Sequence, residues 1–146
     1  MLQKIFHREP SQQDMLRLPG TVLVIDTEPL DLDTYSHILR SAGHEVVACA
    51  SYHEAIRQLM TKRFDLVVVD QGGANFEGRI VLELLSTLRM HVPTIVLGRQ
   101  KSMGCYLRAM GLGASYYFEK QVSPNEIKRV VATLILPRVL TGVFQG

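Results

Sequence analysis

The chain has 146 residues, 47% hydrophobic and 21% charged, with a formal net charge of +2. That is enough chain for one domain whose core needs no disulfide or metal, and the basic residues form no block that would mark a nucleic-acid footprint. Residues 1–6 are too short and polar for a signal-peptide core, and no apolar run approaches the roughly 18 residues of a membrane span. Cys49 and Cys105 form no CxxC pair and have no histidine cluster beside them, a pattern that points to reduced thiols, packed as small hydrophobes, in a cytoplasmic protein.

In chain order, residues 1–20 are polar and aperiodic and read as an N-terminal extension, which places the domain at 21–136. Residues 22–25 (VLVI) are a continuous run of β-favouring residues, the pattern of a strand buried on both faces, and Asp26 ends it. Tyr35, Ile38, Leu39 and Ala42 then recur at helical spacing, with Asp31 and Asp33 near the helix start, where the dipole favours negative charge, and Gly43 at the end. Residues 44–50 (HEVVACA) predict a second strand. Ser51 and Glu54 form a capping box for a helix with Ala55, Ile56, Leu59 and Met60 inside.

Residues 65–70 (DLVVVD) predict a third buried strand, and Ile80, Val81, Leu84, Leu85 and Leu88 a third helical face. A fourth strand spans 94–97, closed by Gly98. Residues 101–112 predict the weakest helix, since each interior glycine costs about 0.5–1 kcal/mol relative to alanine; Met103, Leu107 and Met110 read as its core face. Residues 116–118 predict a fifth strand. Ser123, Pro124 and Glu126 open a last helix whose inner face is Ile127, Val130, Val131, Leu134 and Ile135, with Pro137 stopping it and 137–146 left as a C-terminal tail.

Five strands alternating with five helices imply an α/β sandwich around a parallel sheet. Ligands of such sheets bind beyond the carboxyl ends of the strands. Those ends carry Asp26, followed by Thr27 and Glu28, then Asp70, Gly98 and Lys120. Crowded carboxylates favour a hard cation such as Mg²⁺, and an Asp carboxylate can attack phosphorus when Mg²⁺ and a lysine neutralise the transferring group.

The runs VLVIDTEP, DLVVVDQGGANFEG, PTIVLG and GASYYFEKQ, in that order, resemble the receiver domain of two-component response regulators over most of the chain. The resemblance implies a flavodoxin-like (βα)5 fold with strand order 2-1-3-4-5. It implies that Asp70 is the phosphoacceptor, Lys120 the phosphoryl contact, Asp26 an acidic metal-pocket residue and Gly72 the source of a metal-binding backbone carbonyl. Tyr117 matches the aromatic whose rotation accompanies activation, and Gly78 the glycine that opens the third helix. The implied cofactor is Mg²⁺. The implied partners are a histidine kinase or phosphotransfer protein, a downstream effector, and a second copy of the chain bound through the fourth helix, fifth strand and fifth helix. No output domain follows in this sequence, so signalling would pass through protein contacts, with no nucleic-acid or membrane partner.

The departures are as informative. Thr27 stands where the family has a second acidic residue, which Glu28 would replace only by turning inward. Gly98 lacks the hydroxyl that normally bonds the phosphoryl group, and Gln121 and Ala74 replace family prolines. These departures keep a second reading open, a phosphorylation-independent pseudo-receiver scaffold. A haloacid-dehalogenase-like phosphatase is suggested only by Asp26-Thr27-Glu28, and Glu28 and Gly98 fail its pattern. An FMN site is disfavoured by the acidic loop after the first strand, which would repel phosphate.

Overall fold

The computed structural model describes residues 20–99 and 102–145, with residues 137–145 as backbone only. The expected extension at 1–20 therefore lies outside the described residues except at Gly20. The elements are β1 (Thr21–Ile25), α1 (Pro29–Ser41), β2 (Glu45–Cys49), α2 (Tyr52–Thr61), β3 (Leu66–Asp70), α3 (Arg79–Thr87), β4 (Thr94–Gly98), α4 (Met103–Gly111), β5 (Tyr116–Glu119) and α5 (Pro124–Gln145). The five strands form one parallel sheet in the order β2-β1-β3-β4-β5.

Strand periodicity sorts the core into two layers. Leu23, Ile25, Val67, Val69 and Val96 face α2, α3 and α4, where Ala55, Leu59, Phe76, Val81, Leu82 and Leu85 close over them. Val22, Val24, Leu66, Val68, Ile95 and Leu97 face α1 and α5, meeting Tyr35, Leu39, Ile127, Val131 and Ile135. With helices on both faces, β1, β3 and β4 are apolar on both sides, as their unbroken Val/Ile/Leu runs require.

The strand start is clasped from two sides. The Gly20 amide donates to His44 Nδ1 (3.1 Å) and the Thr21 amide to Asp65 Oδ2 (2.9 Å). His44 is buried, and its burial lowers the imidazole pKa below the ordinary 6.5, against an upward pull from Asp65.

Several expected core positions face outward. Met60 is 61% exposed, and Ile80 and Leu88 are both exposed. Leu82 takes the inward place instead, because α3 starts at Arg79 and turns Val81, Leu82 and Leu85 to the sheet. Met103, Leu107 and Met110 are also exposed, the first by 70%. The helix turns Cys105 and Ala109 inward, leaving an apolar strip uncovered. Cys105 is half-buried rather than buried, whereas Cys49 is fully buried and burial pushes its thiol up to about 11. The start of the fourth helix at residue 101 falls outside the described residues. Pro137 does not stop the last helix, which continues to Gln145. An internal proline forfeits one hydrogen bond and kinks a helix, but the residues on either side keep helical backbone here.

Two measurements check this packing. An added Cβ at Gly78 would fall on the backbone carbonyl of Asp70, whereas one at Gly104 meets only Ser102 Oγ at 3.7 Å. Gly78→Ala should therefore cost about 1–3 kcal/mol in urea unfolding, and Gly104→Ala should gain about 0.5–1 kcal/mol. For His44 the folded-state pKa lies below the unfolded one, so the unfolded chain binds more protons and stability falls as pH drops below 6.5. His44→Asn keeps an acceptor for Gly20 and should flatten the fall in urea midpoint between about pH 7.5 and 5.5.

Candidate functional site

Parallel strands all end on one edge, and there β1, β3 and β5 bring Asp26, Asp70 and Lys120 together. Lys120 Nζ lies 2.9 Å from Asp26 Oδ2 and 3.0 Å from Asp70 Oδ1, and all three side chains are almost fully buried. Asp26 divides its work. Its Oδ1 accepts from the Glu28 amide at 2.9 Å, shaping the turn into α1, while Oδ2 faces the lysine. Neither Asp26 Oδ2 nor Asp70 Oδ1 has an aligned hydrogen-bond donor. Burial, and the charge of Asp70, raise the Asp26 pKa against the Glu28 amide and Lys120. Burial alone would lower Lys120, but the hydrogen bond to Asp31 and the close carboxylates of Asp26 and Asp70 outweigh it and hold the ammonium above its ordinary value.

The third carboxylate on Lys120 is Asp31, from the first turn of α1, at 2.8 Å. Sequence reasoning placed Asp31 at a helix start and no further. Thr27 is exposed, and Glu28 points to Arg99, with Oε1 3.0 Å from Nη2 and its side chain half in solvent. Arg99 lies between a cleft of about 440 Å³ lined by Asp31, Tyr35 and Lys120 and one of about 390 Å³ lined by Gln71, Gly72 and Cys105.

The loop after Asp70 is anchored by buried Phe76, in the left-handed region at φ 54°, with the Arg108 guanidinium 5.6 Å over its ring. Gly72 has φ 87°, and a Cβ there would strike the carboxylate of Glu77, which accepts from the Gly73 amide, and come within 3.0 Å of the Tyr52 hydroxyl. Tyr52 donates to the Asp70 backbone carbonyl at 3.1 Å. Burial and the charges of Asp70, Glu77 and Asp26 push its phenol well above the usual tyrosine range. Sequence reasoning did not single out Tyr52; an aromatic opening α2, three residues past the end of β2, was the available signal.

The site oxygens suit a hard cation in chemistry. Among the described residues no three His, Cys, Asp or Glu side chains form a ready-made cage. A cation here would therefore be held by the two carboxylates with backbone oxygen and water, which is the habit of Mg²⁺.

Gly98 and Tyr117 lie together on β4 and β5. The Tyr117 hydroxyl donates to Gln71 Oε1, and a Cβ on Gly98 would fall on both atoms. Gln71 Nε2 in turn donates to Cys105 Sγ at 3.1 Å, on α4. Tyr117 therefore occupies the space that a hydroxyl-bearing side chain at position 98 would need. Gln121 takes φ 77° and its amide donates to the Tyr35 hydroxyl at 3.2 Å.

A family model described as the response regulator receiver domain matches residues 22–132. The chain is 28% identical over 120 residues to the transcriptional regulatory protein ZraR of Salmonella typhimurium, covering 82% of this chain and 26% of that protein. It is 24% identical over 120 residues to the signal transduction histidine-protein kinase BarA of Escherichia coli K12, covering 81% of this chain and 13% of that protein. The fold superimposes on a CheY-like receiver domain from Methanospirillum hungatei with a TM-score of 0.74 at 24% identity, covering 84% of this chain and 97% of the other. Among the described residues no helix is long and apolar enough to cross a membrane. With the parallel 2-1-3-4-5 sheet and the acidic edge around Lys120, these matches establish that the chain belongs to the response regulator receiver domain family, a signalling fold of two-component systems.

Proposed function

We propose that Asp70 accepts a phosphoryl group from a phosphohistidine on a histidine kinase or phosphotransfer protein, and that the domain then signals by protein contact. The observation that carries this reading is the Asp26–Lys120–Asp70 cluster, in which two buried carboxylate oxygens lack aligned donors beside one ammonium. An Asp70 carboxylate oxygen forms the new O–P bond as the donor's N–P bond breaks, and the electron pair leaves with the imidazole nitrogen. Lys120 neutralises charge building on the phosphoryl oxygens and need not lose its proton. Asp26, Asp70 and the Gly72 carbonyl would hold Mg²⁺, which when bound supplies charge neutralisation at the transferring group. Glu28 contributes by tethering Arg99 rather than by entering the pocket.

The exposed strip of Met103, Leu107 and Met110 beside Tyr106 and Tyr116 supports the fourth helix, fifth strand and fifth helix as the face met by an effector or a second copy. We place the protein in the cytoplasm, where such donors act, with the domain at 21–136.

A second reading has its own observation. Tyr117 is turned in against Gln71, and Gly98 brings no hydroxyl to report a phosphoryl group. A scaffold that binds its partner without phosphorylation fits that arrangement.

Beryllium fluoride with Mg²⁺ separates the two. Under the first reading, ¹H–¹⁵N NMR of the wild type shows shifts around Asp70 that Asp70→Asn abolishes. No response even at high Mg²⁺ would leave the scaffold. The readout has a separate check: Gly98→Thr should drive Tyr117 outward. In fluorotyrosine-labelled protein, with the signal assigned by Tyr117→Phe, the ¹⁹F resonance should move on substitution and move again on adding beryllium fluoride. An unmoved resonance in Gly98→Thr would mean that position 98 does not govern the ring.

A further inference from the structure

Asp31 is the one charged group on Lys120 that neither the family resemblance nor the strand-end argument assigns. Its Oδ2 is 2.8 Å from Nζ, the shortest of the three carboxylate contacts, and makes an aligned hydrogen bond. Asp26 Oδ2 and Asp70 Oδ1, both buried, receive no aligned donor although the same ammonium lies within 3.0 Å. The ammonium therefore aims its aligned hydrogen bond at Asp31 and meets the other two oxygens as ion pairs. Three carboxylates against one ammonium give the pocket a formal charge of −2, and Arg99 at its rim, 3.0 Å from Glu28 Oε1 and 4.0 Å from Asp31 Oδ2, leaves that sum unchanged because Glu28 offsets its charge. Removing Asp31 would leave −1 and let the ammonium turn its N–H bonds onto Asp26 and Asp70, which it already touches. Thr27, which follows Asp26 directly, is exposed and uncharged.

We propose that Asp31 is the second acidic residue of this pocket, supplied by the first turn of α1 instead of the turn after β1. It is a positioning residue. By taking the aligned hydrogen bond of Lys120 it leaves Asp26 Oδ2 and Asp70 Oδ1 held by ion-pair contact alone and open to exchange for a divalent cation, and it restores the negative charge that Thr27 does not provide. The inference rests on the reading of Asp70 as a Mg²⁺-assisted phosphoacceptor. An acidic residue in a first helical turn also favours the helix dipole, so a purely structural Asp31 would affect thermal stability and leave cation affinity alone.

The test is titration of the whole chain with magnesium chloride alone, followed by calorimetry and by the ¹⁵Nζ resonance of Lys120. Asp31→Asn, nearly isosteric, should weaken Mg²⁺ affinity by roughly tenfold, the low end for losing an outer-shell partner at a metal site, and should shift the Lys120 resonance. Asp31→Glu keeps the charge and should stay within about threefold of wild type. Adding Thr27→Asp to Asp31→Asn should recover most of the loss. Unchanged Mg²⁺ affinity in a normally melting Asp31→Asn overturns the proposal. A wild type that binds Mg²⁺ no better than Asp70→Asn would instead sink the reading of the pocket on which the proposal rests.

Discussion

A buried ammonium shared by three carboxylates is the constraint around which the carboxyl edge of the sheet is arranged. Taking an ion out of water costs several kcal/mol even after relaxation, and Asp26, Asp70 and Lys120 are all nearly shielded from it. None could be ionised there without the others. The parallel sheet makes their meeting geometrically cheap, because β1, β3 and β5 all deliver their last residues to one edge. The same burial that raises the Asp26 pKa is what makes the cluster responsive: any charge added at Asp70 acts in a medium that screens it poorly. Removing Lys120 would leave two buried carboxylates facing each other, so its role in holding the edge together is inseparable from any role toward a phosphoryl group.

A second layer of polar contacts carries the loop after Asp70 to the opposite rim. Gln71 follows Asp70 directly and touches both β5, through the Tyr117 hydroxyl, and α4, through Cys105. Gly98 makes this arrangement possible by having no side chain. A residue with a hydroxyl at that position would compete with Tyr117 for one volume. Under the proposed function, phosphoryl chemistry and its structural readout would rest on different residues: Asp26, Asp70 and Lys120 for the first, Gln71, Gly98 and Tyr117 for the second. The two can be separated by substitution.

The fold was legible in the sequence because its signals are local. Apolar runs such as 22–25 and 66–69 declare strands buried on both faces, and the carboxylates that end them declare the binding edge. Asp26, Asp70 and Lys120 were accordingly placed together from strand ends alone. Asp31 was not, because its partner lies 89 residues away, and nothing in a helix start says which strand end it will face. Gln71 and Arg99 were missed for the same reason. The face of α4 was misjudged because Met103, Leu107 and Met110 share helical spacing with an equally periodic inner set, Cys105 and Ala109. Periodicity finds a helix and its faces; which of two apolar faces is buried depends on what packs against it. Pro137 was over-read, since a proline lowers helix stability without dictating where the helix ends.

The departures at positions 27 and 98 can be understood together if the pocket preserves physical quantities and lets residue identities change. Negative charge missing from the turn after β1 enters from α1, one helical turn further along the chain. Volume and a hydroxyl missing from β4 are supplied by Tyr117 from the neighbouring strand. The two substitutions are not equivalent in consequence. A carboxylate at 31 acts on Lys120 through charge, which tolerates a change of origin as long as the distance stays near 3 Å. The Tyr117 hydroxyl is bonded to Gln71 instead of standing ready for a phosphoryl oxygen, so it restores the packing of the missing side chain but not its signal. On the proposed function, the groups for chemistry at Asp70 are better preserved in this chain than the hydroxyl relay that would report it, and a readout would run through the loop at Gln71 and its contact with Cys105 on α4.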